Sequence, residues 1–297
     1  MKIIFWNINS KNRSAKKHRE AISININEMV ISSEFDILIL SECEDIIEDY
    51  IDLRLTNYSY IKPSNTGNDF FIRIIHKKSI NIISTAELLC NDIRNKKSNS
   101  RATGNNLKTG ILIRAKDESK SQDPVSIIAS HWTFRGVPNH ENLNRKKSID
   151  LTKCANDEID EGRQVILIGD YNMLTHELKS IGSLDASMNK YYVNEEYNRF
   201  YDLSQYLYRQ HSMQGICKDI RGYGTYISNG SKLNENSCQV LDHIYVSSSF
   251  IGDQGGWLIV EDTVGTIFNE RIENLMYNSK CKIDHLPISL EINYEPR

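Results

Sequence analysis

Short runs of apolar, mostly β-branched residues recur along the chain, and polar residues follow them. Within a run the apolar residues are largely continuous and do not alternate with polar ones, which is typical of strands buried on both faces. Most of these runs are four to six residues long, the usual length of a strand. The predicted strands are Lys2–Trp6, Asp36–Leu40, Phe70–Ile75, Gly110–Ile113, Val125–Ala129, Val165–Ile168, Val240–Val246 and Ile288–Ile292.

Three segments between these runs carry apolar residues at helical intervals, and they predict helices over Ser14–Ser32, His140–Glu161 and Tyr201–Arg209. Strands mixed with helices predict a layered α/β (α+β) fold, in which two packed sheets are covered by helices. The polar segments Asn91–Arg101 and Ser228–Ser237 are interpreted as exposed loops. Neither is long enough for a domain linker and no internal repeat is present, so we expect one domain over residues 1–297.

The composition is that of an ordinary globular protein, with 39% hydrophobic and 25% charged residues. A net charge of −3 does not indicate a nucleic-acid binder, although a local basic groove would be hidden in that sum. The first apolar run is too short for a signal peptide, and no window is apolar enough to span a bilayer. Six scattered cysteines without a CxxC pair favour reduced thiols. We therefore expect a cytoplasmic protein without membrane contact, and the abundance of Ile, Asn and Lys suggests a bacterial source. The sequence leaves the oligomeric state open.

Polar residues with metal-binding or acid–base chemistry follow or precede the predicted strands. A residue at a strand end is held rigidly and yet faces a cleft, which is what a catalytic site requires. Taken singly, each has a plainer interpretation, such as a turn former, the first turn of a helix, a core histidine or a helix cap. These residues are Asn7, Glu42, His131, Asp170, Asn172, Asp242, Asp284 and His285.

Together these residue types form one coherent chemical set. Carboxylate and amide oxygens suit Mg²⁺ or Mn²⁺ better than Zn²⁺, and no Cys/His zinc spacing is present. A histidine beside an aspartate has a fixed orientation, and a further aspartate near an asparagine can align an attacking water. Hydrolysis of phosphate esters needs charge neutralisation, an oriented nucleophile and hydrogen-bond donors to the phosphoryl oxygens. The set therefore predicts a metal-dependent phosphoesterase.

The order and wording of six motifs resemble the endonuclease/exonuclease/phosphatase (DNase I-like) family. This resemblance covers the chain from end to end and implies a four-layered α/β sandwich, with two packed mixed β-sheets flanked by helices. The short Gly-Thr-Tyr stretch that ends at Tyr226 supports the same register. The motifs are Trp6–Asn9, Asp36–Glu42, Ser130–Trp132, Ile168–Asn172, Leu241–Tyr245 and Ile283–Pro287.

The resemblance implies a role for each residue of the metal site. Glu42 would be the principal ligand of Mg²⁺, or of Mn²⁺, with Asn7 and Asp284 near the same metal ion. The chain departs from the family pattern at Ser41, where glutamine is common, and at Asn9, where apurinic endonucleases carry aspartate. The departure at Asn9 weakens the assignment to that subgroup.

The resemblance also implies the catalytic roles. Asp170 would orient or deprotonate the attacking water, and Asn172 would contact the phosphate. His285 would contact the scissile phosphate, with Asp242 holding it in place. His131 would contact the phosphate or assist the leaving group.

Two arginines follow the His131 motif, which is similar to a form found in bacterial members of the family. Arg135 and Arg145 are candidate phosphate contacts, and the alternative is that both are solvated surface charges. The sequence leaves both interpretations open.

Three functions remain open. A nuclease, with DNA favoured over RNA, would use basic residues beside the cleft, and Trp132 and Phe134 could stack on a base. A phosphatase or phosphodiesterase of small molecules or lipid head groups would need a head-group pocket or an exposed apolar loop, for which Gly252–Trp257 is a candidate. An inactive binding module is the third alternative, and the retention of every expected catalytic type argues against it. The candidate basic clusters are Lys11–Arg19, Arg94–Arg101 and Arg145–Lys147.

Overall fold

The structure is a computed structural model, and it describes residues 1–9, 15–32, 34–43, 56–63, 72–91, 106–120, 123–180, 184–207, 224–227, 238–252, 255–277 and 283–296. Within these ranges the chain forms two large β-sheets, a short two-stranded ribbon and six α-helices. The helices are α1 (Ala15–Ile31), α2 (His140–Asp160), α3 (Thr175–Ser180), α4 (Lys190–Glu195), α5 (Ser204–Leu207) and α6 (Glu270–Tyr277).

The first sheet has six strands in the described residues, in the order β14-β15-β1-β2-β4-β3. Strands β1 and β2 run parallel at its centre, and β15 runs antiparallel to β1. The strands are β1 (Lys2–Asn7), β2 (Ile37–Ser41), β3 (Tyr58–Ile61), β4 (Arg73–Lys77), β14 (Gly256–Thr266) and β15 (Ile288–Glu295).

The second sheet has seven strands in the described residues, in the order β5-β6-β7-β8-β13-β10-β9. It also has a parallel pair at its centre, β7 and β8, beside the antiparallel strand β13. The remaining strands, β11 (Tyr226–Ile227) and β12 (Cys238–Gln239), form the ribbon. The strands of the second sheet are β5 (Ile80–Asn91), β6 (Asn106–Asp117), β7 (Val125–His131), β8 (Gln164–Asp170), β9 (Ala186–Ser187), β10 (Phe200–Asp202) and β13 (Asp242–Ser247).

An apolar core fills the space between the two sheets. Phe5 of β1 enters it from the first sheet, and Ile127 of β7 and Ile166 of β8 enter it from the second. Successive strand residues point to opposite faces, so the neighbouring residues form an outer core on each side. Trp6 lies in the outer core under α1 and α6, and Leu167 lies in the one under α2. Burial on both faces explains why the strand sequences are continuously apolar.

The predicted α/β sandwich of two mixed sheets flanked by helices is confirmed. The predicted helix over Tyr201–Arg209 is wrong at its start, because Phe200–Asp202 pairs with β13 as strand β10. Helix α5 covers only Ser204–Leu207, and residues 208 and 209 lie outside the described residues. The prediction of one domain over residues 1–297 stays a prediction.

The Gly252–Trp257 segment does not expose its tryptophan. Trp257 is fully buried at the start of β14, and its Nε1 donates a hydrogen bond to the carbonyl of Asp123 at 3.1 Å. None of the helices in the described part of the chain is long and apolar enough to cross a membrane. The predicted loops at 92–101 and 228–237 lie outside the described residues.

Candidate active site

The parallel strands of the seven-stranded sheet bring three predicted site residues to one edge. His131 ends β7 and lies in register with Asp170, which ends β8. Asp242 begins the antiparallel strand β13 and lies in register with Asp170 on its other side. A Cβ at Gly169 would come within 2.1 Å of the Ser130 carbonyl oxygen, so the close approach of β8 to β7 just before Asp170 requires glycine.

The six-stranded sheet brings its own residues to the same place. Asn7 ends β1, and Glu42 directly follows β2, which runs parallel to β1. His285 precedes β15, and its carbonyl accepts a hydrogen bond from Nε1 of the buried Trp6 at 3.1 Å. Because β15 is antiparallel to β1, the residues before β15 lie beside the end of β1.

The Asn7 side chain links the two sheets. Its Nδ2 donates to Asp170 Oδ2 at 3.0 Å and to Glu42 Oε1 at 3.3 Å. His131 Nε2 lies 3.2 Å from the same Glu42 oxygen. Side chains from the ends of both parallel pairs therefore meet in one cluster.

His285 lies between two buried aspartates. Its Nδ1 is 2.8 Å from Asp242 Oδ2, and its Nε2 is 3.5 Å from Asp170 Oδ2. The Nδ1–Asp242 hydrogen bond fixes the orientation of the ring, whereas 3.5 Å leaves Nε2 only weakly engaged. The structure thus brings Asp242 and His285 together as predicted, with Nε2 directed toward Asp170.

The buried charges shift the pKa values of this cluster. Burial, with the charge of Asp242 added, raises the pKa of Asp170 to about 6, although His285 and His131 act in the opposite direction. Burial alone would lower the pKa of His285, but the charges of Asp242 and Asp170 outweigh it and raise that pKa to about 10. His285 is therefore an imidazolium at neutral pH, while Asp170 can exchange a proton near neutral pH.

Asp284 directly precedes His285 in the chain and lies near Asn9 and Glu42. Asn9 Nδ2 lies 3.4 Å from each of its carboxylate oxygens. Burial raises the pKa of Asp284, and the charge of Glu42 adds to that effect. The charge of His285 and the Asn9 amide act in the opposite direction but do not outweigh the burial.

Three residues at the strand ends adopt left-handed backbone conformations. Asn9, Glu42 and Asn172 have φ angles of 44°, 51° and 51°. A positive φ is unusual for glutamate in particular, and it excludes the interpretation of Glu42 as the first turn of an α-helix. Backbone strain at the ends of β1, β2 and β8 is typical of functional sites.

Both the backbone and the side chain of Asn172 bond residues of the site. Its backbone N–H donates to Asp170 Oδ1 at 2.8 Å, and its Nδ2 donates to the Trp132 carbonyl at 3.1 Å. Trp132 itself is buried and packs its ring edgewise on Tyr171, so it is not placed to stack on a base. Asn172 therefore orients the Asp170 carboxylate and ties it to the segment after His131.

The two candidate arginines differ in their surroundings. Arg135 donates from Nε to the Asn172 carbonyl at 3.1 Å and pairs with Glu177 at 2.6 Å. These contacts stabilise the turn after β8, so the Arg135 guanidinium has a structural role there. Arg145 is exposed on α2, and its role as a phosphate contact stays a prediction.

The buried groups could hold a metal ion. Ligand atoms of Asp170, Asp242 and His285 lie within 4.8 Å of one another. Asp242 Oδ1 is buried and has no hydrogen-bond partner among the described residues. Four carboxylates, an amide and two imidazoles, without a thiolate, fit a hard divalent cation. Glu42 and Asn7, two of the predicted metal ligands, adjoin this cluster, because the Asn7 amide bonds both Glu42 and Asp170.

The sequence did not predict that Asn144, Lys147 and Tyr226 support the site, although Lys147 belongs to the basic cluster Arg145–Lys147 and Tyr226 to the Gly-Thr-Tyr stretch. Asn144, fully buried on α2, bonds both the N–H and the carbonyl of Thr133, and the buried Lys147 Nζ lies 3.5 Å from the His131 carbonyl. The Tyr226 ring packs at a tilt of 57° against His285, with ring centroids 5.0 Å apart. Lys147 lies one helical turn after Leu143, on the buried face of α2. A lysine on a buried helix face is rare, and this position could have indicated its role from the sequence.

The fold is similar to those of several known proteins. An endonuclease/exonuclease/phosphatase from Bacteroides vulgatus is 13% identical, with a TM-score of 0.63 over 99% of this chain and 98% of that chain. D. rerio TDP2 complexed with a single-strand DNA product is 15% identical, with a TM-score of 0.61 over 99% and 98% of the two chains. The catalytic domain of human Nocturnin with a bound sulfate anion is 16% identical, with a TM-score of 0.60 over 99% and 94%.

No family model and no curated protein sequence matches this chain. The structural likenesses show that it has the endonuclease/exonuclease/phosphatase fold, as the sequence motifs predict. At these identities they establish the fold and not the reaction.

Proposed function

We propose that this chain is a Mg²⁺-dependent phosphodiesterase that acts as a nuclease. The observation that carries the proposal is the position of His285, which is fixed by Asp242 and faces Asp170 where the strand ends of both sheets meet. The side chains proposed for metal binding and catalysis lie around His285 and Asp170: Asn7, Glu42, His131, Asp242 and Asp284. The single-strand DNA product bound to D. rerio TDP2, a protein of the same fold, favours DNA as the substrate class.

We assign the metal to the oxygen ligands Glu42, Asn7 and Asp284. The Asp170–Asp242–His285 cluster is less suitable, because His285 Nδ1 and Asp242 Oδ2 already bond each other at 2.8 Å. With a pKa of about 10, His285 is protonated at neutral pH and cannot act as a ligand. When bound, Mg²⁺ supplies charge neutralisation to the phosphoryl group.

The protein residues then divide the remaining chemistry. Asp170 accepts the proton of the attacking water, and its pKa of about 6 suits a base that works near neutral pH. His285 donates from Nε2 to a phosphoryl oxygen and stabilises the charge that develops there. His131 Nε2 lies 3.7 Å from Asp170 Oδ2, the same oxygen that His285 Nε2 faces, and it donates to the phosphate or the leaving oxygen.

A substrate panel tests the proposal. The purified chain is assayed with Mg²⁺, Mn²⁺ or EDTA on single-stranded DNA, plasmid DNA, RNA, bis(p-nitrophenyl) phosphate and inositol phosphates. We expect metal-dependent cleavage of the nucleic acids and of the generic diester, and none by Asp170→Ala prepared in parallel. Turnover of inositol phosphates alone would favour the small-molecule alternative, and no turnover at all would favour a binding module.

The metal assignment has its own test. Replacing Glu42 by Gln removes one ligand charge, so the Mg²⁺ concentration for half-maximal activity should rise at least about tenfold. Asp262→Gln, which removes a carboxylate from β14, should leave that concentration unchanged. An unchanged Mg²⁺ titration in Glu42→Gln would exclude Glu42 as a ligand.

A further inference from the structure

Phe134 is an exposed aromatic residue that lies next to the candidate active site. It is 57% exposed and follows the site residue His131 by three positions. Three residues span at most about 11 Å even when fully extended. The ring is therefore within reach of a nucleotide whose phosphate contacts His131.

The backbone around Phe134 is fixed by specific contacts. The buried Asn144 amide bonds Thr133 on both sides, accepting from its N–H at 2.9 Å and donating to its carbonyl at 3.1 Å. The Phe134 carbonyl accepts from the Val137 N–H at 3.0 Å, which closes a turn. Arg135 is tied to the Asn172 carbonyl. The backbone that carries the exposed ring is therefore anchored on both sides of Phe134.

The absence of a side chain at residue 136 makes room for the Phe134 ring. A Cβ at Gly136 would come within 2.7 Å of Phe134 Cε1 and 3.0 Å of Cδ1. The ring therefore packs against the Gly136 backbone, and any larger residue would displace it. The neighbouring Trp132 is by contrast 2% exposed and belongs to the core.

We propose that Phe134 is a base-stacking residue that selects single-stranded nucleic acid, an inference that rests on the proposed function. A phenyl ring stacks on any base, but only on a base that is not already stacked within a duplex. The exposed Arg145, next to Asn144 on α2, places positive charge beside this segment for the phosphate backbone of the same strand.

The test compares two substrates with equal numbers of phosphates, an oligothymidine and an all-abasic strand. We expect the wild type to have a kcat/KM on the oligothymidine higher by about 5- to 150-fold, the contribution of stacking on one aromatic residue. Phe134→Ala should lose this preference and keep the abasic rate. Phe134→Tyr should retain the preference, and Phe134→Leu should lose it, because leucine is apolar but cannot stack.

Two controls separate stacking from general damage. Ile149→Ala removes a 52% exposed apolar side chain from α2 and should leave the preference unchanged. Turnover of bis(p-nitrophenyl) phosphate, and of a blunt duplex, should be the same in Phe134→Ala as in the wild type. Equal losses on the oligothymidine and abasic strands, or no loss on either, would overturn the inference while the proposed function stands.

Binding is measured separately by fluorescence anisotropy of the same two strands with wild type and Phe134→Ala. If the wild type cleaves no diester but its preference for the oligothymidine depends on Phe134, the proposed function fails and the base-stacking site is supported. A preference for the oligothymidine that survives in Phe134→Ala overturns the base-stacking site.

Discussion

Two buried carboxylates, Glu158 on helix α2 beside the start of β7 and Asp170 at the end of β8, have opposite surroundings. Glu158 on α2 accepts from Arg114 at 3.0 and 2.5 Å, from Arg163 at 2.5 Å and from Ser126 at 2.6 Å. Burial alone would raise the pKa of Glu158, but these hydrogen bonds outweigh it and lower the pKa to about 2. Ser126 lies near the start of β7, whereas His131 ends that strand in the active site.

Asp170 is buried with too little positive charge around it. Burial raises its pKa to about 6, and the nearby Asp242 adds to that shift. Asp242 in turn has a buried Oδ1 with no hydrogen-bond partner among the described residues. A carboxylate network that is neutralised from within, like that of Glu158, stabilises the fold. One that is left short of positive charge, like that of Asp170 and Asp242, is typical of a functional site, which is how the two clusters can be told apart.

The largest expected effect is on catalysis and falls on the active-site cluster. His285→Ala removes the imidazolium that faces the scissile phosphate, so kcat/KM should fall by about 10²- to 10⁴-fold. His285 lies outside the apolar cores, so circular dichroism should show a folded chain. The control is His176→Ala, which removes an exposed histidine from α3. Near-normal activity in His285→Ala would contradict the role assigned to it.

A substitution in the Glu158 network should lower the stability of the chain and leave its catalytic activity unchanged. Glu158→Gln removes the charge that Arg114 and Arg163 share, while Arg163 keeps its pair with Glu161, and the free energy of unfolding should fall by about 3 kcal/mol. Urea denaturation measures this, and kcat/KM under folding conditions should be unchanged. Glu195→Gln at an exposed site on α4 should change stability by less than about 0.5 kcal/mol. A loss of activity in folded Glu158→Gln would remove the distinction between the two clusters.

The sequence predicts the active-site cluster better than the structural one. Asn7, Asp170 and Asp242 could be predicted because strand periodicity places them at strand ends and their residue types match a known set of motifs. Glu158, Arg114 and Arg163 come from a helix, a strand and a loop, and their pairing depends on how α2 packs over the sheet. No local pattern encodes that packing.

The edge strands illustrate the same limit within the fold. Strands β5 and β14 are partly exposed at the sheet edges, so they lack the continuous apolar run that marks the central strands. In the segment Tyr201–Arg209, the aromatic and leucine residues are compatible with either a helix or a strand. The start of the segment forms a strand because it pairs with β13. The central strands could be predicted because both of their faces are buried.

Neutralising Asp170 should have the opposite effect on stability from neutralising Glu158. Asp170→Asn removes a desolvated charge while keeping the shape of the side chain, so the metal-free chain should gain about 1 kcal/mol in unfolding free energy. Its activity should be lost in the same preparation. The measurement is urea denaturation in EDTA, beside Glu158→Gln. A loss of stability in Asp170→Asn would show that its charge is compensated from within after all.

The smallest expected effect is a pH dependence that isolates Glu158. Its pKa is lowered from 4.5 to about 2 in the folded chain, so its ionised form is favoured by folding. The stability it contributes is therefore complete above pH 4.5 and is lost progressively as the pH falls toward 2. The difference in unfolding free energy between wild type and Glu158→Gln should be constant from pH 7 to 5 and should shrink at pH 4 and 3.5. A difference that stays constant down to pH 3.5 would mean that the charge of Glu158 is not what stabilises its network.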